Sequence, residues 1–544
     1  MTTFASLVRH DDRPAIVLPR SATGVNARTV SHHELAELIT SFQSQLSGAG
    51  TQPGDVISMS LINSLDFVIA FLAVGLNRSI AAPLNPAYKT SEVDFYLQDT
   101  KSRLLIVPAG AIQANTEAVQ AARALATKVL EVSVDLRRQP LRVALTSDGK
   151  PVPSASAAAV PKDDDVALIL HTSGTTGRPK AVPLTHRNLL TTMSNIKRTY
   201  ALTEADRSYL VMPLFHVHGL LAGFLAPIYA GASAVVPPKF SAATFWPELI
   251  ESKCTYYTAV PTIHQILLKT KLPDNLPKLR FIRSCSSALS PTTFHAIEET
   301  FGAPVLEAYA MTEAAHQMTS NPLPPGKRQP GSVGVGQGVA IRTLNDHGMD
   351  VPEGEVCIKG LNVTTGYINN EKANKESFTA DGFFRTGDRG RLDSEGYLFL
   401  TGRIKELINR GGEKLSPLEI DAALLAVDGV AEAVAFGVPD EKYGETVWAA
   451  LVLKDGSKLD AKSIQTAAAG KISKVCFATP VRALLIVDAV QGTRAYLSRR
   501  CNPKGSNRQD LSAQCQQDVP GQGRRTRQAE QAIDVVLDCI HLYM

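Results

Sequence analysis

Residues 166–180 read Val-Ala-Leu-Ile-Leu-His-Thr-Ser-Gly-Thr-Thr-Gly-Arg-Pro-Lys. The apolar run Val166 to Leu170 has the length and Val/Ile character of a buried strand. The ten residues after it carry the chemistry. Glycines there permit tight backbone approach, hydroxyls and exposed amides donate to phosphate oxygens, and Lys180 adds positive charge. The Gly-Lys-Ser/Thr ending of a Walker loop is absent, so this is a different phosphate cradle. A flexible Ser/Gly linker would account for the glycines but not for an ordered Thr-Ser-Gly-Thr-Thr-Gly-x-Pro-Lys string.

Outward from this strand the chain alternates helical and strand-like stretches. VSHHELAELITSFQSQLSGAG has helical spacing and DVISMSLIN reads as a strand, an order repeated by DFVIAFLAVGLNRSIAAPLNP. Beyond the loop, SYLVMPLF, ASAVVPP, CTYYTAV and LRFIRSC are further strand candidates. That rhythm predicts a layered α/β fold. A β-rich, Gly-rich portion runs from Gly331 to Leu400, with GEVCIKG and GYLFLTG as short strands. After Arg403 a compact unit follows, with PLEIDAALLAV as helix and VAEAVAFGV as strand. The expected division is a large N-terminal domain, residues 1–401, and a small, mobile C-terminal α+β domain, residues 402–544.

With 544 residues, one ordinary domain is exceeded. A net charge of +4 over this length is weak and gives no case for nucleic acid or a membrane surface as partner. The longest apolar stretches, Asp66 to Leu76 and Leu220 to Ala230, are too short to span a bilayer. The opening MTTFASLVRHDDRP lacks the pattern of a cleaved leader, and the seven cysteines show no paired spacing. A reducing, cytoplasmic compartment is the expectation.

The loop string resembles the phosphate-binding loop of the adenylate-forming, or acyl-activating, superfamily, in which acyl-CoA synthetases, luciferases and peptide-synthetase adenylation domains are grouped. Other stretches agree in the same order. The resemblance implies that Thr172, Ser173, Gly174, Thr175, Thr176, Gly177 and Lys180 hold ATP phosphates. In Glu307-Ala308-Tyr309-Ala310-Met311-Thr312-Glu313 it implies that Glu307, Ala308 and Tyr309 lie at adenine. There Thr312 meets the α-phosphate and Glu313 holds Mg²⁺, a role that suits a hard oxygen ligand. Arg385-Thr386-Gly387-Asp388 resembles the ribose motif, with Asp388 at the ribose hydroxyls. Gly402-Arg403-Ile404-Lys405-Glu406 resembles the hinge, where Arg403 reaches the ribose and phosphate. Lys180, Thr176, Glu313 and Arg403 are the implied catalytic residues, with ATP, Mg²⁺ and coenzyme A required.

Three further stretches narrow the likeness to one branch. Pro213-Leu214-Phe215-His216-Val217-His218-Gly219-Leu220-Leu221-Ala222-Gly223, Tyr257 to Gln265 (YTAVPTIHQ) and Arg283-Ser284-Cys285-Ser286-Ser287-Ala288-Leu289 resemble the oxalate–CoA ligases of plants and fungi. An apolar tunnel suits a fatty acyl chain. Here His218, Ser286 and His316 are expected at the acyl group, where imidazole and hydroxyl satisfy the second carboxylate of a short diacid. His264 is read as an ordinary core histidine; His216 and Cys285 stay undecided. The alternatives are a ligase for another small, medium-chain or aryl acid, or an impaired nucleotide-binding relative.

The last alternative arises from the tail. The family carries a lysine in a Pro-Lys-x-x-x-Gly-Lys motif near its C-terminus, and no such motif is written here. The genetic code offers a reason. Pro503 to Leu511 can be encoded as CCC AAA GGG AGC AAC CGG CAA GAT CTN. Read one base later, the same string gives Pro-Lys-Gly-Ala-Thr-Gly-Lys-Ile. The expectation is a frame change or altered exon junction between about Val475 and Pro503, with a divergent working tail as the alternative. The chain ends His-Leu-Tyr-Met, without a peroxisomal Ser-Lys-Leu type address. A peroxisomal location becomes the alternative if the true end is lost.

Overall fold

The computed structural model describes residues 3–156, 160–172, 178–410, 413–440, 444–454, 456–457, 459–469 and 484–487. The chain divides into two compact units, Met1–Leu400 and Thr401–Met544.

In the first unit an eight-stranded sheet is parallel at its centre, where Val56–Ser60, Ile80–Leu84 and Leu104–Pro108 are neighbours. The strand that leads into the phosphate loop is β1, Val166–Thr172, and the strand leaving it is β2, Lys180–Thr185. The two pair antiparallel with Thr172 opposite Lys180, so the loop closes a hairpin at the sheet edge. Helix Leu65–Leu76 reads apolar on every face except Asp66. All of its residues but Asp66 are buried, because it lies within the core that joins this sheet to the next. Burial of the Asp66 carboxyl pushes it up to about 6.

A nine-stranded sheet supplies the second layer. Its relevant strands are β3 (Tyr256–Ala259), β4 (Phe281–Ser284), β5 (Val305–Met311) and β6 (His316–Ser320). β3, β4 and β5 run parallel, and β6 returns antiparallel after a single 3₁₀ turn, Thr312–Ala314. Parallel strands buried on both faces call for apolar runs. Tyr256, Tyr257, Ala259, Phe281 and Ile282 meet that rule, whereas Arg283 breaks it.

A four-stranded sheet completes the unit with Ala340–Leu344, Glu353–Lys359, β7 (Phe384–Leu392) and Leu398–Arg403. The β-rich portion expected from Gly331 to Leu400 is thus an antiparallel sheet. In the second unit, helix Pro417–Leu425 packs beside the long hairpin Val430–Asp440 and Gly444–Leu453, with Leu484–Val487 parallel to the latter. Gly402 has φ +138°, a conformation that side chains rarely tolerate.

Candidate active site

Both stems of the phosphate loop are tied to helix Thr90–Thr100. His171 Nε2 lies 3.0 Å from Asp99 and its ring packs on Tyr96, while the Arg178 guanidinium sits 4.6 Å over the Phe95 ring. Ser173, Gly174, Thr175, Thr176 and Gly177 lie outside the described residues; Thr172 ends β1 and Lys180 begins β2. The Lys180 ammonium stands 4.7 Å over the Tyr367 ring, and the Tyr367 hydroxyl donates to Glu313 Oε1 at 2.8 Å. A cation, an aromatic face and a buried carboxylate thus share one corner. Glu313 is held from the other side as well, its carbonyl accepting from Thr364 N at 2.7 Å.

A single carboxylate at this corner fits Mg²⁺, which binds through one or two carboxylates plus nucleotide phosphates rather than an all-protein cage. Among the described residues no group of three or more His, Cys, Asp or Glu gathers as a metal centre. Thr312 opens the 3₁₀ turn just before Glu313.

Tyr309 and Asp388 come from different sheets yet meet directly, the phenol of β5 donating to the carboxylate of β7 in a short hydrogen bond. Ala308 and Glu307 precede Tyr309 on β5 and are buried. Burial pushes the Glu307 carboxyl up to about 8, so it is protonated near neutrality; its Oε1 accepts from Leu289 N at 3.2 Å. Glu307 therefore also braces the loop that follows β4. Arg403 belongs to the second unit.

The acyl residues come from three elements. His218 begins a π-helical segment, His218–Leu225, a rare geometry that often marks functional positions. Gly219 makes its path possible, because a Cβ there would stand 2.2 Å from the Pro213 carbonyl oxygen. Ser286 follows β4 with φ +75°, and His316 opens β6 with φ +96°. Positive φ at residues with side chains is strained and concentrates at functional sites. Here it falls on two of the three acyl candidates. His218 Nδ1 lies 3.0 Å from Ser286 Oγ, and the His218 and His316 rings stack 5.3 Å apart. Both ring nitrogens of His316 are buried without a hydrogen-bond partner among the described residues. Such atoms are costly unless something else satisfies them.

Sequence reasoning assigned no role to Arg283, Thr258, Tyr200 or Gln317; Thr258 and Arg283 meet His218, and Tyr200 and Gln317 meet Arg283. Arg283 is 1% exposed and donates to Tyr200 Oη at 2.7 Å and Thr258 Oγ1 at 3.1 Å, with Gln317 Oε1 at 3.4 Å. The available signal was an arginine inside the apolar strand LRFIRSC. His264 is buried with its Nδ1 3.2 Å from the Tyr257 hydroxyl, Cys285 is buried, and His216 is exposed with its Nδ1 accepting from His218 N at 3.3 Å.

Known proteins place this arrangement. Residues 4–368 match the family of AMP-binding enzymes, and residues 419–495 match the AMP-binding enzyme C-terminal domain. The second match continues past residue 475 and stops short of Pro503. An oxalate–CoA ligase of Saccharomyces cerevisiae is 47% identical, over 82% of this chain and 87% of that protein. One from Arabidopsis thaliana is 49% identical, over 88% of this chain and 94% of its own length. The ATP-bound crystal structure of MatB from Rhodopseudomonas palustris has a TM-score of 0.79 at 28% identity, covering 95% of this chain and 99% of that one. With the phosphate-loop hairpin, the Tyr309–Asp388 pair and the Glu313 corner already in place, these matches settle the lineage: the chain belongs to the AMP-binding enzyme family, as one of its acyl-CoA synthetases.

Proposed function

We propose that the chain is an ATP-dependent acid–CoA ligase whose acid is oxalate. The observation that carries the choice of acid is the buried polar acyl end, where His316 presents two unpartnered ring nitrogens beside the His218–Ser286 pair. A fatty or aryl acid leaves the ring N–H of His316 unsatisfied, whereas the second carboxylate of a short diacid accepts from it. The names of the yeast and Arabidopsis relatives support the same acid.

One oxalate oxygen attacks the α-phosphorus of ATP, the bond to pyrophosphate breaks, and oxalyl-adenylate forms. The coenzyme A sulfur then attacks the acyl carbon, its proton leaves to solvent, and AMP departs. No protein nucleophile is needed, so catalysis is alignment and charge neutralisation. Lys180, Thr312 and the loop Thr172 to Gly177 bear on the phosphates, Tyr309 on adenine, and Asp388 on the ribose. Glu313 holds Mg²⁺, which when bound offsets phosphate charge. Among the described residues no helix is long and apolar enough to cross a membrane; the working location is the cytoplasm, or the peroxisome if the tail is out of frame.

Pyrophosphate release with a panel of acids tests the proposal, using a chain in which the Pro-Lys-Gly-Ala-Thr-Gly-Lys-Ile motif is restored. Oxalate is expected to exceed acetate, octanoate and benzoate in kcat/KM by at least about tenfold, or about 1.4 kcal/mol. Preference for octanoate or benzoate overturns it. In the same chain, Lys180→Ala is expected to lower kcat/KM for ATP by about tenfold or more, a loss of at least about 1.4 kcal/mol. Unchanged kinetics would remove Lys180 from the phosphate site.

A further inference from the structure

Behind the acyl site lies a buried cation that the proposed mechanism does not use. Among the described residues, the guanidinium of Arg283 contacts neutral groups: Tyr200, Thr258, Gln317, the Cys285 thiol and the His218 ring. No carboxylate pairs with it, and it is almost wholly buried. A charge in that position is costly unless an anion arrives to balance it.

Because the guanidinium only donates, the hydrogen bonds around it line up in one direction. Arginine has no acceptor, so NH1 donates to Thr258 Oγ1 at 3.1 Å. The Thr258 hydroxyl hydrogen is then directed to His218 Nε2, 2.7 Å away. NH1 itself stands 3.5 Å from the same nitrogen. Facing two donors, Nε2 is the bare acceptor, and the proton of the neutral ring sits on Nδ1. His218 Nδ1–H donates to Ser286 Oγ at 3.0 Å. That leaves the Ser286 hydroxyl hydrogen for the exposed side, where Ser286 is solvent-facing. Every bond in the row points outward from the cation, and aligned bonds polarise one another.

We propose that Arg283 is the specificity-determining charge of the acyl site, acting through Thr258 and His218 to turn the Ser286 hydroxyl into a fixed donor for the second carboxylate of a diacid. Arg283 and Thr258 are positioning residues, since neither reaches the ligand side. The inference rests on the oxalate reading, which it deepens by saying what makes the pocket prefer a dianion.

Its neighbours keep His218 uncharged. Burial, then Arg283, then His216 and His264 hold the imidazole well below its usual range. Burial, Arg283, His218 and His216 do the same for His316. Tyr200 and Cys285 are the other titratable groups against Arg283.

The test is calorimetric titration of oxalate and, separately, acetate into the full chain saturated with a non-hydrolysable ATP analogue and Mg²⁺, from pH 8 to pH 5.5. Wild-type affinity for oxalate is expected to be flat over this range. Arg283→Met weakens oxalate at pH 8 by at least tenfold and leaves acetate within twofold. Arg283→Lys keeps part of the preference. Thr258→Val, which leaves the cation in place but cuts the row, also loses oxalate selectively and answers the question if Arg283→Met does not fold. Equal losses for oxalate and acetate, or unchanged oxalate binding in both Arg283→Met and Thr258→Val, overturn the inference. A wild-type chain that binds acetate but not oxalate overturns the proposed acid instead.

Discussion

Replacing residues 503–511 by Pro-Lys-Gly-Ala-Thr-Gly-Lys-Ile, with the downstream frame restored, is expected to raise the rate of pyrophosphate release by roughly 100-fold or more. The magnitude is that of removing one donor from a developing oxyanion, about 10²–10³. Adenylation builds negative charge on a pentavalent phosphorus, and the family meets it with a lysine from the C-terminal domain. In the chain as written, that lysine codon of the shifted frame straddles Gln509 and Asp510. Thioester formation from supplied oxalyl-adenylate is expected to change far less, because the nucleotide-site residues Lys180, Tyr309, Glu313 and Asp388 lie in the first unit. Stopped-flow measurement of the two half-reactions separates them. Full pyrophosphate release by the chain as written, or no recovery after replacement, would sink the frame-change account and leave a divergent working tail.

His316→Ala is expected to cost oxalate roughly 10²–10³ in kcat/KM, the equivalent of the roughly 3–5 kcal/mol lost when a buried charge loses its partner. Acetate, which has no second carboxylate, should lose less than about threefold, an effect under about 1 kcal/mol. His218→Ala should follow the same pattern by a different route. His218 already spends both ring nitrogens on Ser286 and Thr258, so its loss acts through the Ser286 hydroxyl. Steady-state kinetics of both variants with both acids, in the chain with the restored motif, measure this. Equal losses for the two acids would place these histidines outside the acyl site and favour a different acid.

Both predictions depend on residues whose importance was legible in the sequence to different degrees. The phosphate loop stood out because its order of hydroxyls, glycines, proline and lysine is local, and a local string survives without knowledge of the fold. The strands and helices were legible for the same reason. VALILH, CTYYTAV and LRFIRSC are apolar runs of strand length, and all three contain the strands of the parallel core. SYLVMPLF yields a strand only over Arg207–Leu210. The segment after it turns into the π-helix that carries His218, a bend that apolar periodicity does not encode.

What the sequence by itself determined was the family and the layered α/β class, because the first is written in contiguous motifs and the second in local apolar patterning. Only the tertiary structure decided what the acyl end is. Thr258, Arg283, His218, Ser286, His316 and Gln317 come from segments spread between residues 218 and 317, and the parallel register sets Thr258 beside Arg283. The meaning of Arg283 also depends on burial and on neutral neighbours. Neither can be read from a residue name, since an arginine among apolar residues in a sequence has no stated partner until the chain folds around it.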